Sequence, residues 1–104
     1  MTGKSLLAYC ARVSDVYRAI ADGTRRQILD LLVERDQMTL FEICSRLLDL
    51  GTESSRQAIS QHLAVLEECG LVRSSRVGRT KVHALDTGPL REIARRWPVD
   101  RRGG

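Results

Sequence analysis

The sequence predicts a mainly α-helical domain that carries a small β-hairpin, an α+β fold of about five helices and two strands. Apolar residues recur at intervals of three and four along most of the chain, which is the spacing of one helix face. Two short stretches, Leu71–Ser75 and Lys81–Leu85, flank a glycine-containing turn, as the strands of a hairpin do. Aromatic residues make up only 4% of the 104 residues, so the core must be built from Leu, Ile, Val and Ala.

The first helix is predicted from Val13, because apolar residues recur from there to Ala21 at helical spacing. Gly23 is predicted to end it, since glycine tolerates the left-handed residue that ends many helices. A second helix then starts around Thr24. The residues that it is expected to turn inward are Ile28, Leu29, Leu31, Leu32 and Val33.

A capping box predicts the third helix. The hydroxyl of Thr39 can accept from a free backbone N–H three residues on, and Glu42 can reach back to the N–H of Thr39. The following residues repeat at helical spacing and predict its apolar face: Leu40, Ile43, Cys44, Leu47 and Leu48.

The fourth helix follows a loop at Leu50–Ser54 that contains glycine. Ser54 or Ser55 is expected to cap this helix, and Gln57 is placed to complete a second capping box. The helix is expected to end at Gly70, and the hairpin follows directly. His62 is expected to be partly buried within the apolar side of this helix. The residues predicted on that side are Ala58, Ile59, His62, Leu63, Val65 and Leu66.

The last helix is predicted to begin at Pro89, because proline suits the first position of a helix. Pro98 then stops it. The residues expected to face inward are Leu90, Ile93, Ala94 and Trp97. One domain is therefore predicted at 13–97, with a loose lead-in at 1–12 and a frayed tail at 98–104.

The polar face of the fourth helix carries groups that bind nucleic acid. Near the helix start this face offers an arginine, two glutamines and serines, and no acid precedes Glu67. Gln can bond adenine and Arg can bond guanine in the major groove, while a helix N-terminus attracts phosphate. Helix-turn-helix proteins read DNA with such a helix. The contacts predicted in and just before this recognition helix, at about 55–68, are Ser54, Ser55, Arg56, Gln57, Ser60 and Gln61.

The hairpin that follows is basic. From Leu71 to Leu85 the chain has four Lys or Arg residues and no acidic residue. Because side chains alternate faces along a strand, Arg79 and Lys81 are predicted to point the same way. They would bind phosphates, or one arginine would enter the minor groove. The contacts predicted in this wing, at about 76–81, are Arg76, Arg79, Thr80 and Lys81.

Each of these features has a simpler explanation on its own. The net charge of +4 fits an anionic partner without naming one, and a basic stretch is often only a solvated surface. The polar face of the fourth helix is also compatible with an ordinary surface helix. The basic hairpin directly after that helix is what favours DNA binding.

Three stretches of this sequence resemble the ArsR/SmtB family of bacterial repressors: DVYRAIADGTRRQILDLL, SRQAISQHLAVLEECGLV and RVGRTKVHAL. They stand in the order typical of the family, and the resemblance extends from Asp15 to about Trp97. It implies a winged helix-turn-helix homodimer that represses transcription, with the first and last helices forming the dimer interface. Such a dimer is expected to bind an operator that is an imperfect inverted repeat.

The resemblance also implies roles for individual residues. Gln57, Ser60 and Gln61 are expected to lie in the DNA groove, and Arg79 is expected to lie on the wing. The loop from Asp49 to Ser55 looks longer than the tight turn usual in the family.

The metal sites of the family do not transfer to this sequence. Cys44 matches the first cysteine of the family's Cys-x-Cys pair, but Arg46 occupies the second position and cannot bind a thiophilic ion. The other family site uses Asp and His on the last helix, where this chain has no His. We therefore expect no metal and no cofactor. Cys69 stands at the end of the fourth helix, before Gly70, and is expected to be more exposed than Cys44. A thiol switch at Cys10 or Cys69, or a metal response, stays an alternative, and the sequence names no inducer.

Other function classes stay open as alternatives. A winged-helix domain can bind an acidic protein partner through its basic hairpin in place of DNA. An enzyme is not expected, because the two histidines have no nucleophile or carboxylate pattern around them. No run approaches the ~20 apolar residues that span a bilayer. Three widely spaced cysteines fit reduced thiols, so a cytoplasmic protein without membrane contact is expected.

Overall fold

The computed structural model describes residues 13–96, which form five helices and a three-stranded antiparallel sheet. The predicted fold class, mainly α with a small β-hairpin, is confirmed. In chain order the elements are α1 (residues 13–20), α2 (Gly23–Glu34), β1 (Met38–Thr39), α3 (Leu40–Asp49), α4 (Arg56–Glu68), β2 (Val72–Val77), β3 (Thr80–Leu85) and α5 (Gly88–Arg96). The lead-in predicted at 1–12, the tail predicted at 98–104 and the predicted inward position of Trp97 lie outside the described residues.

The start of α2 differs from the prediction. Gly23 does not end the first helix; it is the first residue of α2, and it is not among the left-handed glycines. The start signal is Asp22, whose carboxylate accepts a hydrogen bond from the backbone N–H of Arg25 at 3.0 Å. That N–H is also the main reason why the pKa of Asp22 is lowered. An aspartate N-cap therefore decides this boundary.

The capping box that begins α3 is confirmed. The backbone N–H of Thr39 donates to Glu42 Oε1 at 2.9 Å, and the backbone N–H of Glu42 donates to Thr39 Oγ1 at 3.1 Å. At α4 the cap is Ser55, whose hydroxyl accepts from the backbone N–H of Ala58 at 3.0 Å. The second box predicted with Gln57 does not form, because Ala58 holds the third helical position and has no group to reach back.

The hairpin is longer and its turn tighter than predicted. Strands β2 and β3 pair until Val77 meets Thr80, which leaves Gly78 and Arg79 as a two-residue turn. Gly78 has φ +67°, and a left-handed residue at this position suits the turns that join tightly twisted strands. The turn residues are therefore carried at the end of two fully paired strands.

The sheet has a third strand that the sequence pattern did not reveal. Strand β1 pairs antiparallel with β3, with Met38 opposite His83, so the strand order is β1-β3-β2. At two residues β1 is too short to show an alternating pattern, and Thr39 is also the cap of α3. This pairing fixes the middle of β3 to Thr39, the residue that caps α3.

Aliphatic side chains from the helices and the sheet form one core. Helices α2, α3 and α4 each bury one stripe of apolar side chains in this core. Met38 of β1 and Leu71, directly before β2, complete it. The largest fully buried side chains are Val16, Ile28, Met38, Ile43, Leu47, Ile59, Leu66 and Leu71. Among the described buried residues there is no Phe, Tyr or Trp, in line with the low content of these residues in the sequence.

Four residues that were predicted to face inward are exposed. Val33 and Leu48 each come five residues after a buried isoleucine, which on a helix places them about 140° away from it. Val65 and Ala94 likewise lie at the margins of their apolar stripes. Tyr17 on α1 is also half-exposed in the single chain. The predicted faces of these helices were therefore too wide.

Two adjacent leucines on α3 should differ in how much their substitution by alanine destabilises the fold. Leu47 is fully buried and Leu48 is 69% exposed. Leu47→Ala is expected to lower the free energy of unfolding by about 2–5 kcal/mol, because it removes buried contacts and leaves a cavity. Leu48→Ala, the matched control, is expected to change it by less than about 0.5 kcal/mol. Urea unfolding at one fixed protein concentration measures both. Equal losses for the two variants would contradict this description of α3.

Candidate nucleic-acid interface

The first two turns of α4, residues 56–61, are called here the helix tip. Its apolar side is packed into the core through Ile59, and Leu63 and Leu66 continue that stripe along α4. Burial of this stripe forces the opposite side of the helix outward. The tip residues left exposed are Arg56, Gln57, Ser60 and Gln61.

The two serines before the helix have different environments. Ser55 is exposed, but its hydroxyl is already occupied as the N-cap acceptor. Ser54 is half-buried in the preceding loop, which contains Gly51 in a left-handed conformation with φ +85°. The start of the helix at Arg56, which the long loop left uncertain from sequence, is fixed by the Ser55 cap.

Strands β2 and β3 with their turn are called here the wing. Arg76 and Lys81 are cross-strand partners and therefore extend from the same face of the hairpin. Arg79 lies in the turn, beyond the paired residues, so strand alternation does not determine the direction of its side chain relative to Lys81. All three cations and Thr80 are exposed.

The helix tip and the wing lie on one side of the molecule and line a common open groove. Arg56 and Ser60 line it from α4, and Arg79, Thr80 and Lys81 line it from the wing. The groove has a volume of about 950 Å³. Five of the ten residues predicted as DNA contacts are therefore brought together here. Those that lie outside its lining are Ser54, Ser55, Gln57, Gln61 and Arg76.

The cations on this side of the molecule differ from several other arginines of the described chain. Those arginines form ion pairs, such as Arg35 with Glu42 at 3.7 Å and Arg46 with Glu34 at 3.5 Å. Within residues 13–96, no acidic side chain pairs with any of four exposed cations on or beside the groove, namely Arg56, Arg76, Arg79 and Lys81. Their charges are therefore available to an anionic partner.

Sequence reasoning missed two kinds of groove residue. Phe41, the second residue of α3, is exposed and lines the groove beside the helix tip. The capping box at Thr39 was the available signal, since it fixes which side of the first turn of α3 faces outward. The second kind is acidic: Glu67 and Glu68, the last two residues of α4, also line the groove.

His83 is a buried polar residue of the described chain. Its side chain on β3 is 6% exposed, and its Nδ1 atom lies 3.8 Å from Oε2 of Glu67. Burial lowers the pKa of His83, while the nearby Glu67 carboxylate opposes that shift and Lys81 adds to it. The neutral imidazole therefore predominates near pH 7.

His62, on the side of α4 that contacts α2, is partly buried, as predicted. Nη1 of Arg25 lies 3.3 Å from Nδ1 of His62, and because a guanidinium can only donate, the imidazole nitrogen accepts. Nε of the same arginine donates to the carbonyl of Ala19 at the end of α1, at 2.8 Å. One arginine of α2 therefore links α1 to the helix that carries the exposed tip.

The cysteine environments differ from the prediction. Cys69 is buried and not exposed at the helix end, and its Sγ donates to the carbonyl of Leu66 at 3.5 Å. Burial raises the pKa of the Cys69 thiol, and burial also raises that of Cys44. Cys10 lies outside the described residues. Among residues 13–96, no three His, Cys, Asp or Glu side chains are grouped closely enough to bind a metal ion.

No helix in the described part of the chain combines the length and the apolar character needed to cross a bilayer.

The sequence is similar to known transcriptional regulators. A family model described as a helix-turn-helix domain matches residues 20–75. The uncharacterized HTH-type transcriptional regulator YuzN of Bacillus subtilis is 44% identical over 85 residues, covering 79% of this chain and 90% of the relative. The transcriptional repressor SdpR of the same organism is 34% identical over 80 residues, covering 77% of this chain and 82% of the relative.

Solved structures show the same architecture. An ArsR-like transcriptional regulator from Rhodococcus sp. RHA1 superposes with a TM-score of 0.72 and 36% identity, covering 83% of this chain and 76% of that chain. A homodimeric winged helix-turn-helix DNA-binding domain from Mycobacterium bovis, Mb0332, superposes with a TM-score of 0.64 and 29% identity. That match covers 88% of this chain and 78% of the other, a possible ArsR-family transcriptional regulator.

The buried, high-pKa thiol of Cys69 should resist alkylation in the folded protein. Iodoacetamide reacts with the thiolate, so Cys69 is expected to label at least about ten-fold more slowly at pH 7.5 in the native state than in guanidinium chloride. Mass spectrometry of digested protein after timed labelling measures the rate at each cysteine separately. Equal rates for Cys69 in native and unfolded protein would contradict its burial.

Proposed function

This chain belongs to the ArsR/SmtB family of winged helix-turn-helix transcriptional regulators, and from that premise we propose that it is a homodimeric repressor of transcription. In this proposal it binds an operator that is an imperfect inverted repeat. The recognition helix, about 55–68, enters the major groove, and the wing, about 76–81, contacts the neighbouring backbone. The protein acts in the cytoplasm, where the bacterial chromosome lies, and without catalysis.

One observation supports the proposal most strongly: two separate elements present unpaired cations and hydrogen-bonding side chains to the same open groove. Arg56 and Ser60 reach it from α4, and Arg79 and Lys81 reach it from the wing. If the helix and the basic hairpin had unrelated roles, nothing would require both to line the same groove. A duplex is both anionic and convex, and it complements this surface in charge and in shape.

The proposed contacts divide into two groups by their chemistry. Gln57, Ser60 and Gln61 supply the side chains that can distinguish bases by hydrogen bonding, with Gln suited to adenine. The wing cations and Arg56 supply charge, which strengthens binding to any sequence through phosphate contacts. Ser55 serves as the helix cap, and its neighbour Ser54 belongs to the loop that leads into the helix.

Dimerisation through α1 and α5 is part of the proposal. The Mycobacterium bovis relative is a homodimer. In this chain, Tyr17 on α1 and Ala94 on α5 are apolar or amphipathic residues that the single chain leaves exposed. A two-fold dimer places two recognition helices about one DNA turn apart, which requires an inverted repeat in the operator. SdpR, a relative that carries the name of a repressor, supports the direction of regulation.

Selection of bound duplexes from a random DNA pool tests this function directly. The proposed repressor is expected to enrich an imperfect inverted repeat. A winged-helix domain that binds an acidic protein instead would enrich no sequence, and gel shifts with its own promoter region would disappear under nonspecific competitor DNA.

Two substitutions should affect binding to the selected duplex in different ways. Arg79→Ala is expected to weaken binding to all DNA and to lower the slope of log K against log salt by about 1.8 for the dimer, because each of the two protomers loses one phosphate contact. Gln57→Ala is the matched control: it is expected to relax base preference by about 1–3 kcal/mol at one position, with the salt slope unchanged. Fluorescence anisotropy at several salt concentrations measures both quantities. An Arg79→Ala variant with wild-type affinity and wild-type salt slope would contradict the wing assignment.

A further inference from the structure

One carboxylate of the recognition helix contacts both strands of the wing. Oγ of Ser74 on β2 donates to Oε1 of Glu67 at 3.3 Å. On β3, Nδ1 of His83 lies 3.8 Å from Oε2 of the same carboxylate. Ser74 and His83 are direct cross-strand partners, so Glu67 faces a single rung of the hairpin. Each oxygen of Glu67 is therefore directed at a different strand.

The histidine in this group has an unfilled hydrogen-bonding position. Within the described part of the chain, His83 Nδ1 is the only buried side-chain nitrogen or oxygen without a hydrogen-bond partner. Buried polar atoms in folded proteins are nearly always partnered, so this atom requires an explanation. A neutral imidazole with its proton on Nδ1 can donate to Glu67, and an approach of about 1 Å brings the pair to hydrogen-bond distance. The carboxylate that already accepts from Ser74 is therefore an acceptor that this small adjustment brings within reach.

The position of Glu67 is unexpected for a surface that binds DNA. It lines the same groove as Arg79 and Lys81. A carboxylate there repels phosphate and, taken alone, weakens binding to a polyanion. Its neighbour Glu68 also lines the groove, but among the described contacts it makes no hydrogen bond or ion pair with the wing. The two glutamates therefore differ in structure although they carry the same charge.

We propose that Glu67 is a positioning residue, whose carboxylate holds the wing at a fixed angle to the recognition helix through Ser74 and His83. With that angle fixed, the wing cations reach the backbone of the duplex while the helix tip occupies the major groove. This inference rests on the proposed DNA-binding function, and it assigns a role that neither the charge nor the exposure of Glu67 would suggest.

Charge and positioning predict opposite signs for the same substitution. If Glu67 acts only as a repelling charge, Glu67→Ala tightens DNA binding. If it positions the wing, Glu67→Ala weakens binding to the selected duplex by about ten-fold and lowers the salt slope, because the wing cations lose phosphate contacts. The matched control, Glu68→Ala, is expected to bind equally or slightly more tightly. Glu67→Gln, whose amide oxygen can still accept from Ser74, is expected to recover most of the lost affinity.

A double-mutant cycle shows whether Glu67 acts through the wing. In the Glu67→Ala background, Arg79→Ala is expected to cost clearly less than it does in the wild-type protein, because the arginine is already misplaced. Additive losses would overturn the proposal. Ser74→Ala removes the same hydrogen bond from the other side and is expected to weaken DNA binding in the same direction, which keeps the test valid if Glu67→Ala folds poorly.

The outcomes separate this inference from the function on which it rests. A wild-type protein that selects no duplex overturns the proposed function. A wild-type protein that selects a duplex, together with a Glu67→Ala variant that behaves like Glu68→Ala, overturns the positioning role alone. Thermal unfolding of each variant confirms that the compared proteins are folded at the assay temperature.

Discussion

The arrangement of this molecule depends on the burial of one side of α4. Ile59, Leu63 and Leu66 are almost completely buried, and they lock the rotation of the helix about its own axis. Burying three large aliphatic side chains contributes several kcal/mol, far more than any single surface contact. Because the rotation is fixed, the side of the helix that carries Arg56, Gln57 and Gln61 faces the solvent. The packing of the core therefore determines which residues of α4 are exposed and can contact a partner.

The wing is oriented by the same core from a different direction. Its inner strand, β3, pairs with both β2 and the short β1, and β1 runs directly into the capped start of α3. Its base is buried through Val72 and Val82. The two-residue turn at Gly78 and Arg79 can therefore extend from a fixed base without contributing to the core. In the proposed complex the base-reading side chains lie on α4 and most of the phosphate-binding cations lie on the wing, so charge and base recognition can vary largely separately.

Much of this fold follows from local rules, and the deviations have physical causes. The spacing of Ile28, Leu31 and Leu32 predicts α2 because a helix repeats every 3.6 residues, and the Thr39 box predicts α3 because it satisfies free N–H groups locally. Burial at the margin of a stripe depends instead on which neighbour packs there, so Leu48 was wrongly expected inside and Cys69 was wrongly expected outside. Strand β1 depends on pairing with residues more than 40 positions away, which no local pattern contains. The same distinction applies to the site. The polar face of α4 follows from local helical spacing, whereas the groove that it shares with the wing and the contact between Glu67 and Ser74 depend on tertiary packing.

In the proposed function, the helix tip and the wing bind one duplex together. Nuclear magnetic resonance titration of ¹⁵N-labelled protein with the selected operator duplex measures this most directly, because each backbone amide reports its own change of environment. Amide signals from Arg56–Gln61 and from 78–81 are expected to shift together, at the same DNA concentration and with the same midpoint. Shifts confined to one of the two segments, or centred on the exposed side of α2 near Val33, would contradict joint binding.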